Sequence, residues 1–250
     1  MKLKDKIAIV TGGTRDIGRA VSIKLAKEGA KVVVNYYNNE ENAKETLTAI
    51  RELGGEAIMV KGDMTIKADV DDMIKKSIDA FGDTIDILVN NAGGLVARKT
   101  MAEMDEDFFD KVIKLNLNST FLVSQAVLPY MKSGASIVNL ASLAGRDGGG
   151  GGSIAYATSK GAVMTFTRGL AKEVGPKGIR VNALCPGMIA TTFHDTFTVD
   201  AIREKVAAST PLKREGQAEE IANTVACLAS DDTSFITGAN IDINGGLAFS

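Results

Sequence analysis

Short apolar runs alternate with segments of helical spacing along this chain, and that alternation constrains the fold more than any other feature. Residues 7–10 are apolar throughout, and residues 17–27 then place Ile17, Val21 and Leu25 on one helical face. The repeated pattern predicts strands at 7–10, 31–35, 57–60, 85–89, 136–140, 180–184 and 236–243. It predicts helices at 17–27, 40–53, 67–81, about 106–128, 155–174 and 218–229. Strands that are apolar throughout are typical of a parallel sheet with helices on both faces, so we expect a doubly wound α/β fold of about seven strands.

The length and composition favour one domain and exclude several classes of function. No linker or repeat divides the 250 residues, so we expect a single domain over residues 1–250. A formal charge of −2 leaves no basic excess for nucleic-acid phosphates, and no run of about 18 apolar residues could cross a membrane. Cys185 and Cys227 lie far apart with no clustered His, which predicts neither a disulfide framework nor a metal site. We therefore expect a cytoplasmic protein that binds neither nucleic acid nor membrane.

The first predicted strand ends in a glycine-rich turn that runs from Thr11 to Gly18. Glycine lets backbone N–H groups approach a ligand closely, and the N-terminus of the following helix favours a negative charge. In a doubly wound sheet, ligands bind beyond the carboxyl ends of the strands, where this turn would lie. The turn is a candidate pyrophosphate site, although a turn of this kind also serves purely structural roles.

Polar residues follow the third and fourth predicted strands at the same edge of the sheet. Asp63 comes after the third strand, and the sequence Asn90-Asn91-Ala92-Gly93 comes after the fourth. A carboxylate at this edge can accept a hydrogen bond from an adenine amino group. Two structural alternatives stay open: Asp63 caps the next turn, and Asn90 joins neighbouring loops through backbone hydrogen bonds.

Three residues near the fifth predicted strand have the chemistry of proton transfer. Ser142 comes just after that strand, and Tyr156 and Lys160 lie four residues apart, on one face of the following helix. A neighbouring ammonium should lower the pKa of Tyr156 from its usual value of about 10, so that the phenol exchanges protons nearer neutral pH. Ser142 would then polarise a substrate carbonyl as a second donor. A Tyr-x-x-x-Lys pair also occurs on ordinary helices, so its meaning depends on the other motifs.

Taken together, these motifs resemble those of the short-chain dehydrogenase/reductase family over essentially the whole chain. The residues that carry the resemblance are Thr11, Gly12, Asp16, Gly18, Asp63, Asn90, Asn91, Ala92, Gly93, Asn116, Ser142, Tyr156, Lys160, Pro186 and Gly187. The resemblance implies a Rossmann-type domain and NAD(P)H-dependent reduction of a carbonyl to an alcohol. It implies a catalytic tetrad in which Tyr156 protonates the substrate oxygen beside Ser142, Lys160 also holds the nicotinamide ribose, and Asn116 supports a relay water.

The same resemblance implies a cofactor site, a substrate lid and an assembly. The implied cofactor residues are Gly12, Thr14, Arg15, Asp16, Ile17, Gly18, Asn35, Tyr36, Asp63, Met64, Asn90, Ala92, Gly93, Tyr156, Lys160, Pro186, Gly187, Ile189 and Thr191. Residues at about 188–215 correspond to a mobile lid. Members of the family usually form homotetramers through their long fourth and fifth helices.

The choice between NAD and NADP depends on charge near the adenosine ribose. Asn35 and Tyr36 end the second strand, where an acid would favour NAD and a nearby Arg would favour NADP. Arg15 attracts the extra phosphate of NADP, whereas Glu40 and Glu41 repel it. Asp16 also repels it: this residue replaces a glycine of the family motif, and we expect its carboxylate at the adenosine end of the cofactor. The balance favours NADH slightly.

Two substrate groups are consistent with the resemblance. One is that of the 3-oxoacyl-[acyl-carrier-protein] reductases, which tend to be basic where this chain has only Lys132 and Lys177. The other is that of the reductases of 4-deoxy-L-erythro-5-hexoseulose uronate, a keto-uronate formed during alginate breakdown. Arg146 lies beside five glycines, Gly148 to Gly152, and could swing over the pocket to bind a carboxylate, with Arg98 adding a second charge. We expect a small anionic keto-sugar as substrate, with the carrier-protein thioester as the alternative.

Further alternatives concern individual residues and the class of function. Arg146 can also be interpreted as a solvated loop charge. His194 lies in the expected lid and either touches substrate or is an ordinary lid residue. A chain of this kind could instead sense redox state by binding a dinucleotide without turnover. The intact set of Ser142, Tyr156 and Lys160 argues against a sensor.

Overall fold

A computed structural model of the chain describes residues 1–249, in which seven strands form one parallel sheet. The strands are β1 (Ile7–Val10), β2 (Lys31–Tyr36), β3 (Ala57–Lys61), β4 (Ile87–Asn90), β5 (Ser136–Leu140), β6 (Arg180–Pro186) and β7 (Asn240–Ile243). Their spatial order is β3-β2-β1-β4-β5-β6-β7, and each neighbouring pair is parallel. The predicted doubly wound α/β fold of about seven strands is confirmed.

Helices surround the sheet and agree with most of the predicted boundaries. They are α1 (Asp16–Lys27), α2 (Glu40–Glu52), α3 (Lys67–Phe81), α4 (Glu106–Ile113), α5 (Ser119–Val127), α6 (Ala144–Asp147), α7 (Ile154–Val174), α8 (Thr192–Phe197), α9 (Asp200–Ser209) and α10 (Ala218–Ala229). The prediction of one regular helix over 106–128 is wrong in its middle, where a π-helical turn at Lys114–Asn118 joins α4 to α5. The prediction of a strand over 236–243 is too long, because β7 begins at Asn240.

The apolar runs of the strands are explained by burial on both faces of the sheet. Val10 and Val34 point toward the core beneath α1 and α10, whereas Ile9 and Val33 point toward the core beneath α3, α5 and α7. Successive residues of a strand point to opposite faces, so a strand covered on both sides must be apolar at every position. Among residues 1–249, no helix is both long enough and apolar enough to span a lipid bilayer.

The strand order reverses between β1 and β4, and this reversal locates the principal crevice. Chain connections leave β1 toward β2 on one side and enter β4 on the other, so the loops after these two strands diverge. The side chain of Asn91 closes the bottom of the crevice by donating to the carbonyl oxygens of Thr11 (3.1 Å) and Gly12 (2.9 Å). The glycine-rich turn is thereby fixed against the loop that follows β4.

Candidate active site

A cleft of about 1110 Å³ runs along the carboxyl ends of the strands. This volume slightly exceeds the roughly 300–1,000 Å³ that is typical of small-molecule sites. The sequence-predicted residues that line it are Gly12, Thr14, Arg15, Asp16, Ile17, Gly18, Asn35, Tyr36, Asp63, Met64, Ala92, Gly93, Arg98, Ser142, Tyr156, Lys160, Pro186, Gly187, Ile189, Thr191 and His194. The structure therefore brings motifs from the whole length of the chain to one site. Asn90, Asn116 and Arg146 do not line the cleft.

The glycine-rich turn presents the N-terminus of α1 to the cleft. Gly12 has a φ of +58°, which favours glycine, and a Cβ on Gly18 would collide with the carbonyl oxygen of Gly12. Arg15 is the N-cap of α1, and its side chain makes no capping hydrogen bond. The first N–H groups of α1 therefore have no side-chain cap, and the helix dipole favours an anion beside them. This arrangement fits the pyrophosphate of a dinucleotide.

Asn35 braces the turn from the end of β2. Its Oδ1 accepts a hydrogen bond from the Gly12 N–H (3.1 Å), and its Nδ2 donates to the carbonyl oxygens of Val60 (3.3 Å) and Gly62 (3.1 Å). The amide is thus engaged with the backbone on both sides. Beyond it, the wall of the cleft is built from tyrosines and amides, namely Tyr36, Tyr37, Asn38, Asn39 and Asn42.

Asp63 lines the cleft and also caps the turn that follows β3. Its Oδ1 accepts a hydrogen bond from the Thr65 N–H at 2.8 Å. The capping alternative drawn from the sequence is therefore confirmed, and it is compatible with a position on the wall of the cleft. A carboxylate whose orientation is fixed by its own backbone is a suitable acceptor for an adenine amino group.

The expectation that Asn90 lines the cofactor site is wrong, and Asn91 takes that place. Asn90 is buried, and its Nδ2 donates to Ser124 Oγ (3.0 Å) and to Asn139 Oδ1 (2.8 Å). Asn90 still belongs to β4 and points into the core, whereas the next side chain along the strand points the opposite way. Asn91 consequently lines the cleft beside Gly12. The alternation of side chains along β4 was the signal that could have distinguished the two.

Ser142, Tyr156 and Lys160 come together at one wall of the cleft. Ser142 lies on the loop after β5, and the influence of its hydroxyl partly lowers the Tyr156 pKa. Lys160 lies one turn along α7, with Nζ 5.8 Å from the centre of the Tyr156 ring. The ammonium donates to the carbonyl oxygen of Leu140, at 2.6 Å. A hydroxyl, a phenol and an ammonium on one wall have the chemistry of proton transfer, and these three residues are called the proton-transfer group below.

The structure reverses one prediction about this group. We expected the Lys160 ammonium to lower the pKa of Tyr156, but burial of the phenol dominates and raises its pKa. Burial also lowers the pKa of Lys160 to about 8, because the charged form loses its hydration. In the absence of a bound dinucleotide, Tyr156 is therefore a protonated donor at neutral pH.

Asn116 lies behind the cleft, in the π-helical turn between α4 and α5. Its Oδ1 accepts from the Gly94 N–H, and its Nδ2 donates to the carbonyl oxygens of Gly94 and Val112, each at 2.9 Å. A Cβ on Gly93 would lie 2.5 Å from Asn116 Oδ1 and 3.4 Å from Lys160 Nζ. Glycine at position 93 therefore lets the Asn116 amide and the Lys160 ammonium approach the same point. π-Helical turns of this kind are frequent at functional sites.

The proposal from sequence that Arg146 swings over the pocket is wrong. Its Nε pairs with Asp242 Oδ1 at 2.6 Å, and its Nη2 donates to the carbonyl oxygen of Asn240, also at 2.6 Å. Both side chains of the pair are more than four-fifths buried. Arg146 thus ties α6 to β7, with its charge neutralised by a residue nearly one hundred positions away. The alternative of a solvated loop charge is wrong for the same reason.

Of the two arginines that the sequence predicted at the substrate, Arg98 is the one that lines the cleft, as Lys111 and Lys114 also do. Its Nε donates to the carbonyl oxygen of Phe197 (2.9 Å), and its Nη1 donates to that of Gly151 (2.8 Å). Within residues 1–249, no carboxylate lies within ion-pair distance of this guanidinium. Two backbone carbonyls therefore orient a guanidinium that retains uncompensated charge and further N–H donors.

Residues 188–215 cover the cleft with the short helices α8 and α9. Phe193 lies over the proton-transfer group, with its ring 5.8 Å from that of Tyr156. His194 packs edge-on against Phe193, its Nδ1 lies 3.0 Å from Thr198 Oγ1, and burial lowers its pKa. The sequence identified His194 but did not single out Phe193, because an aromatic residue in an irregular segment has no periodic signal.

Asp16 connects this cover to the glycine-rich turn. It has a φ of +50°, a conformation that costs an L residue roughly 1–2 kcal/mol, although Asp adopts it more readily than most. Its carboxylate accepts from the Thr192 N–H (3.1 Å) and from the Thr192 hydroxyl (2.5 Å). The expectation that this carboxylate lies at the adenosine end is therefore wrong, since it is bound to the first residue of α8.

Comparisons with known proteins agree over nearly the whole chain. A family model described as enoyl-(acyl carrier protein) reductase matches residues 12–248. The uncharacterized oxidoreductase YgfF of Escherichia coli is 39% identical over 245 residues, which cover 96% of this chain and 99% of the relative. The 3-oxoacyl-[acyl-carrier-protein] reductase FabG of Staphylococcus aureus is 38% identical over 245 residues, which cover 97% and 98%.

Solved structures show the same likeness. A short-chain dehydrogenase/reductase from Serratia marcescens superposes with a TM-score of 0.94 at 32% identity, over all of both chains. A short-chain dehydrogenase from Burkholderia cenocepacia, in complex with NADP, superposes with a TM-score of 0.93 at 31% identity, over 99% of each chain.

Proposed function

The chain belongs to the short-chain dehydrogenase/reductase family of NAD(P)-dependent oxidoreductases, and from this premise we propose that it reduces the carbonyl group of a small anionic substrate to an alcohol. The observation that carries the proposal is the convergence of Ser142, Tyr156 and Lys160 on one wall of a cleft whose mouth holds the guanidinium of Arg98, which pairs with no carboxylate of residues 1–249. Our first candidate substrate is the alginate-derived keto-uronate 4-deoxy-L-erythro-5-hexoseulose uronate.

The residues around the cleft fit a nicotinamide dinucleotide. The uncapped N-terminus of α1 would hold the pyrophosphate, Asp63 and Met64 the adenine, and Lys160 the ribose next to the nicotinamide. The wall that would hold the nicotinamide itself consists of Pro186, Gly187, Ile189 and Thr191. When bound, the reduced dinucleotide supplies the hydride that the chain's own side chains cannot provide.

Tyr156 is the proton donor of the proposed reaction. Its raised pKa keeps the phenol protonated at neutral pH, and both the phenol and the Ser142 hydroxyl line the cleft. A substrate carbonyl oxygen held by both hydroxyls would be polarised by Ser142 and protonated by Tyr156. Lys160 supplies the positive charge that stabilises the phenolate after the proton has left. Asn116 supports the relay that returns a proton to this group.

We propose NADH as the preferred donor. The wall near the adenosine end holds tyrosines and amides but no Lys or Arg between Tyr36 and Asn42. The remaining cation, Arg15, lies 3.8 Å from the Asp16 carboxylate, which offsets its attraction for a 2′-phosphate. The complex of the Burkholderia cenocepacia relative contains NADP, so the comparison of kcat/KM for NADH and NADPH is a direct test. A large advantage for NADPH would contradict the preference.

The substrate class is argued from the mouth of the cleft. Arg98 presents its guanidinium there, and His194 and Phe193 form the opposite cover. An oriented guanidinium that pairs with no carboxylate among the described residues is suited to a bidentate bond with a substrate carboxylate. A short keto-acid would place its carboxylate on Arg98 and its carbonyl between Ser142 and Tyr156. We further propose that residues 188–215 act as the lid of this site within one domain formed by the whole chain.

A 3-oxoacyl thioester on a carrier protein is the second candidate substrate, and the relatives named 3-oxoacyl-[acyl-carrier-protein] reductase favour it. The basic residues that could guide an acidic carrier are few. Lys132 and Lys177 precede the starts of β5 and β6, so they lie at the edge of the sheet opposite the cleft. The keto-uronate therefore remains the first candidate.

The decisive experiment is a panel of carbonyl substrates assayed by loss of nicotinamide absorbance with both cofactors. We expect turnover of the keto-uronate to exceed turnover of acetoacetyl thioesters, and the reverse result would overturn the first candidate. Arg98→Ala should raise KM for the keto-uronate by roughly tenfold or more while changing KM for a neutral ketone little. Arg51→Ala is the matched control, because Arg51 is exposed in the last turn of α2 and does not line the cleft. An equal effect of Arg98→Ala on both substrates would remove its proposed role.

A dinucleotide sensor without turnover is the competing class of function. Tyr156→Phe should abolish reduction while leaving cofactor binding intact, since only the phenolic hydroxyl is removed. Cofactor binding can be followed by the fluorescence of the reduced nicotinamide. A protein that shows no turnover with any carbonyl substrate, and whose cofactor response is unchanged by Tyr156→Phe, would be a sensor.

A further inference from the structure

The first residue of α8, one of the helices that cover the cleft, is held by a side chain near the start of the sequence. Thr192 begins α8, and its N–H and hydroxyl both donate to the carboxylate of Asp16. Arg15 adds a bond of 3.0 Å from Nη1 to the Thr192 hydroxyl. Thr191, the N-cap of α8, makes no side-chain capping bond. Asp16 therefore serves as the cap of a helix that lies 176 residues away.

Asp16 is placed to do this by an unfavourable backbone conformation. The first residue of α1 has a φ of +50°, which a glycine would adopt without strain. A glycine at this position would leave the turn intact but would have no side chain to reach α8. The Asp16 carboxylate thus links the glycine-rich turn to α8, and the conformation of the turn does not depend on this link.

The two residues after Thr192 are the ones that face the reacting groups. Phe193 packs on the ring of Tyr156, and His194 packs on Phe193. The last residue of α8 is held separately, because the Phe197 carbonyl oxygen accepts from Arg98. Other bonds lie within the cover, for example those of Arg203, which pairs with Asp195 and Glu215. The bonds from Asp16 therefore fix the end of α8 that carries the contacts with Tyr156.

We propose that Asp16 is a positioning residue, which docks α8 on the cofactor turn and thereby holds Phe193 and His194 over Tyr156. The contribution to substrate binding rests on the function proposed above, whereas the docking of α8 does not. An alternative role is that Asp16 acts only on the cofactor, by repelling a pyrophosphate bound at the same turn. The two roles predict different measurements.

Hydrogen exchange of the protein without cofactor or substrate tests the docking. Asp16→Gly should accelerate exchange of the α8 amides by roughly fivefold, the factor expected for loss of a helix cap. Peptides from α3 provide an internal reference that should not change. Asp16→Asn, which tolerates the left-handed conformation and keeps an acceptor for the Thr192 N–H, should restore most of the protection. Unchanged exchange in Asp16→Gly would overturn the proposal, whatever the enzyme's substrate proves to be.

Thr192→Val and Thr196→Val form a matched pair on the same helix. The Thr196 hydroxyl donates to the Thr192 carbonyl oxygen within α8, at 2.8 Å, and makes no bond to Asp16. Thr192→Val should accelerate exchange more than Thr196→Val, and it should have little further effect in the Asp16→Gly background. Additive effects of Asp16→Gly and Thr192→Val would show that the two side chains do not act through one contact, which would overturn the link.

Kinetics separate positioning from an effect on the cofactor. With the best substrate of the panel, Asp16→Gly should raise the substrate KM by roughly fivefold to tenfold and change the dissociation constant of the reduced dinucleotide little. Tighter cofactor binding with an unchanged substrate KM would assign Asp16 to the cofactor alone and overturn the positioning role. If no substrate is found, the exchange experiment still decides whether Asp16 docks α8.

Discussion

Lys160 is a buried cation whose charge the proposed reaction uses. The side chain is 5% exposed, and its ammonium donates to the carbonyl oxygen of Leu140. Burial lowers its pKa to about 8, so the group is charged at neutral pH and loses its charge just above. The same burial raises the pKa of Tyr156, which stays protonated through that range. The pH dependence of carbonyl reduction should therefore report Lys160.

We expect kcat/KM for reduction to be constant near pH 7 and to fall above about pH 8. Below its pKa, Lys160 carries the charge that stabilises the Tyr156 phenolate, and this charge disappears as pH rises through about 8. The measurement is a profile of kcat/KM from pH 6 to pH 10 under saturating cofactor. Lys160→Arg keeps its charge over this range, so any activity that remains should lack the fall. A wild-type profile that is flat to pH 10 would contradict the assignment.

Lys160→Met should abolish turnover and yet stabilise the fold. A decrease in the Lys160 pKa from 10.5 to about 8 corresponds to roughly 3 kcal/mol of destabilisation by the buried charge. The unfolded chain binds the extra proton between pH 8 and pH 10.5, so wild-type stability rises with pH in that window. Because Leu140 loses its donor, we expect a net gain of about 1–2 kcal/mol for Lys160→Met at pH 7.

Urea unfolding of wild type and Lys160→Met at pH 7 and pH 9.5 measures this difference. The gain should be full at pH 7 and smaller at pH 9.5, where the wild-type side chain has become neutral. Lys172, on the same helix and exposed, offers Lys172→Met as a control without a comparable pH dependence. A variant Lys160→Met that is less stable than wild type at pH 7 would show that the Leu140 bond outweighs the buried charge.

Single residues show what could and could not be predicted from sequence. Residue type and spacing identified Ser142, Tyr156 and Lys160, because these residues lie within 20 positions of one another and their pattern can be recognised in the sequence alone. The sequence did not reveal that Arg146 pairs with Asp242, because a partner 96 residues away depends on the packing of α6 against β7. Which of Asn90 and Asn91 lines the cleft likewise depends on the direction of each side chain at the end of β4.

The five-glycine segment illustrates how an element can position a functional side chain. Gly148, Gly149 and Gly152, between α6 and α7, have positive φ, a conformation that favours glycine. The Gly151 carbonyl accepts from Arg98 Nη1, and the Gly152 carbonyl accepts from the Lys99 N–H (3.0 Å). The glycines therefore form a loop whose carbonyl oxygens orient Arg98 at the mouth of the cleft.

Gly151→Ala and Gly152→Ala should have very different effects, although the two positions are adjacent. A Cβ on Gly152 would lie 3.0 Å from Arg98 Cβ, on a backbone with a φ of +72°, whereas a Cβ on Gly151 would meet no atom within 4 Å. We expect Gly152→Ala to lower the unfolding free energy by about 1–2 kcal/mol and to raise KM for the anionic substrate. Gly151→Ala should leave both unchanged.

Denaturation midpoints and KM values for the anionic substrate and a neutral ketone test this difference. If Gly152→Ala raised KM equally for both substrates, the loop would act on the cleft as a whole and not through Arg98. An effect of Gly151→Ala as large as that of Gly152→Ala would contradict the description of the loop.

The spacing of apolar residues predicted the bounds of those helices and strands that depend on local sequence. Except for β7, the strands and α3, α7 and α10 agree with their predicted bounds within two residues. They do so because burial requires apolar residues at regular spacing, and this spacing is visible in the sequence. The π-helical turn at Lys114–Asn118 has no such pattern. Asn116, within this turn, bonds the backbone of Gly94 in another part of the fold, and such a tertiary contact cannot be predicted from the spacing of apolar residues.

The exposed apolar side chains of residues 1–249 include aromatic rings in two regions, near the edge strand β7 and on α5. Phe235, before the edge strand β7, is fully exposed, and Phe249, after that strand, is 88% exposed. Phe121, on α5, is 44% exposed. An open strand edge and exposed aromatic rings favour association, and a tetramer of dihedral symmetry needs at least two different interfaces. We therefore propose a homotetramer that uses both regions.

Light scattering after size-exclusion chromatography should give about four times the chain mass of 26.3 kDa. Phe235→Asp and Phe121→Asp each place a charge in one proposed interface, so each variant alone should yield dimers and the double variant should yield monomers. Leu53→Asp is the control, because Leu53 is 52% exposed but lies at the end of α2, remote from both regions. Tetramers that persist in both single variants would show that the interfaces lie elsewhere, and a monomeric wild type would exclude the assembly.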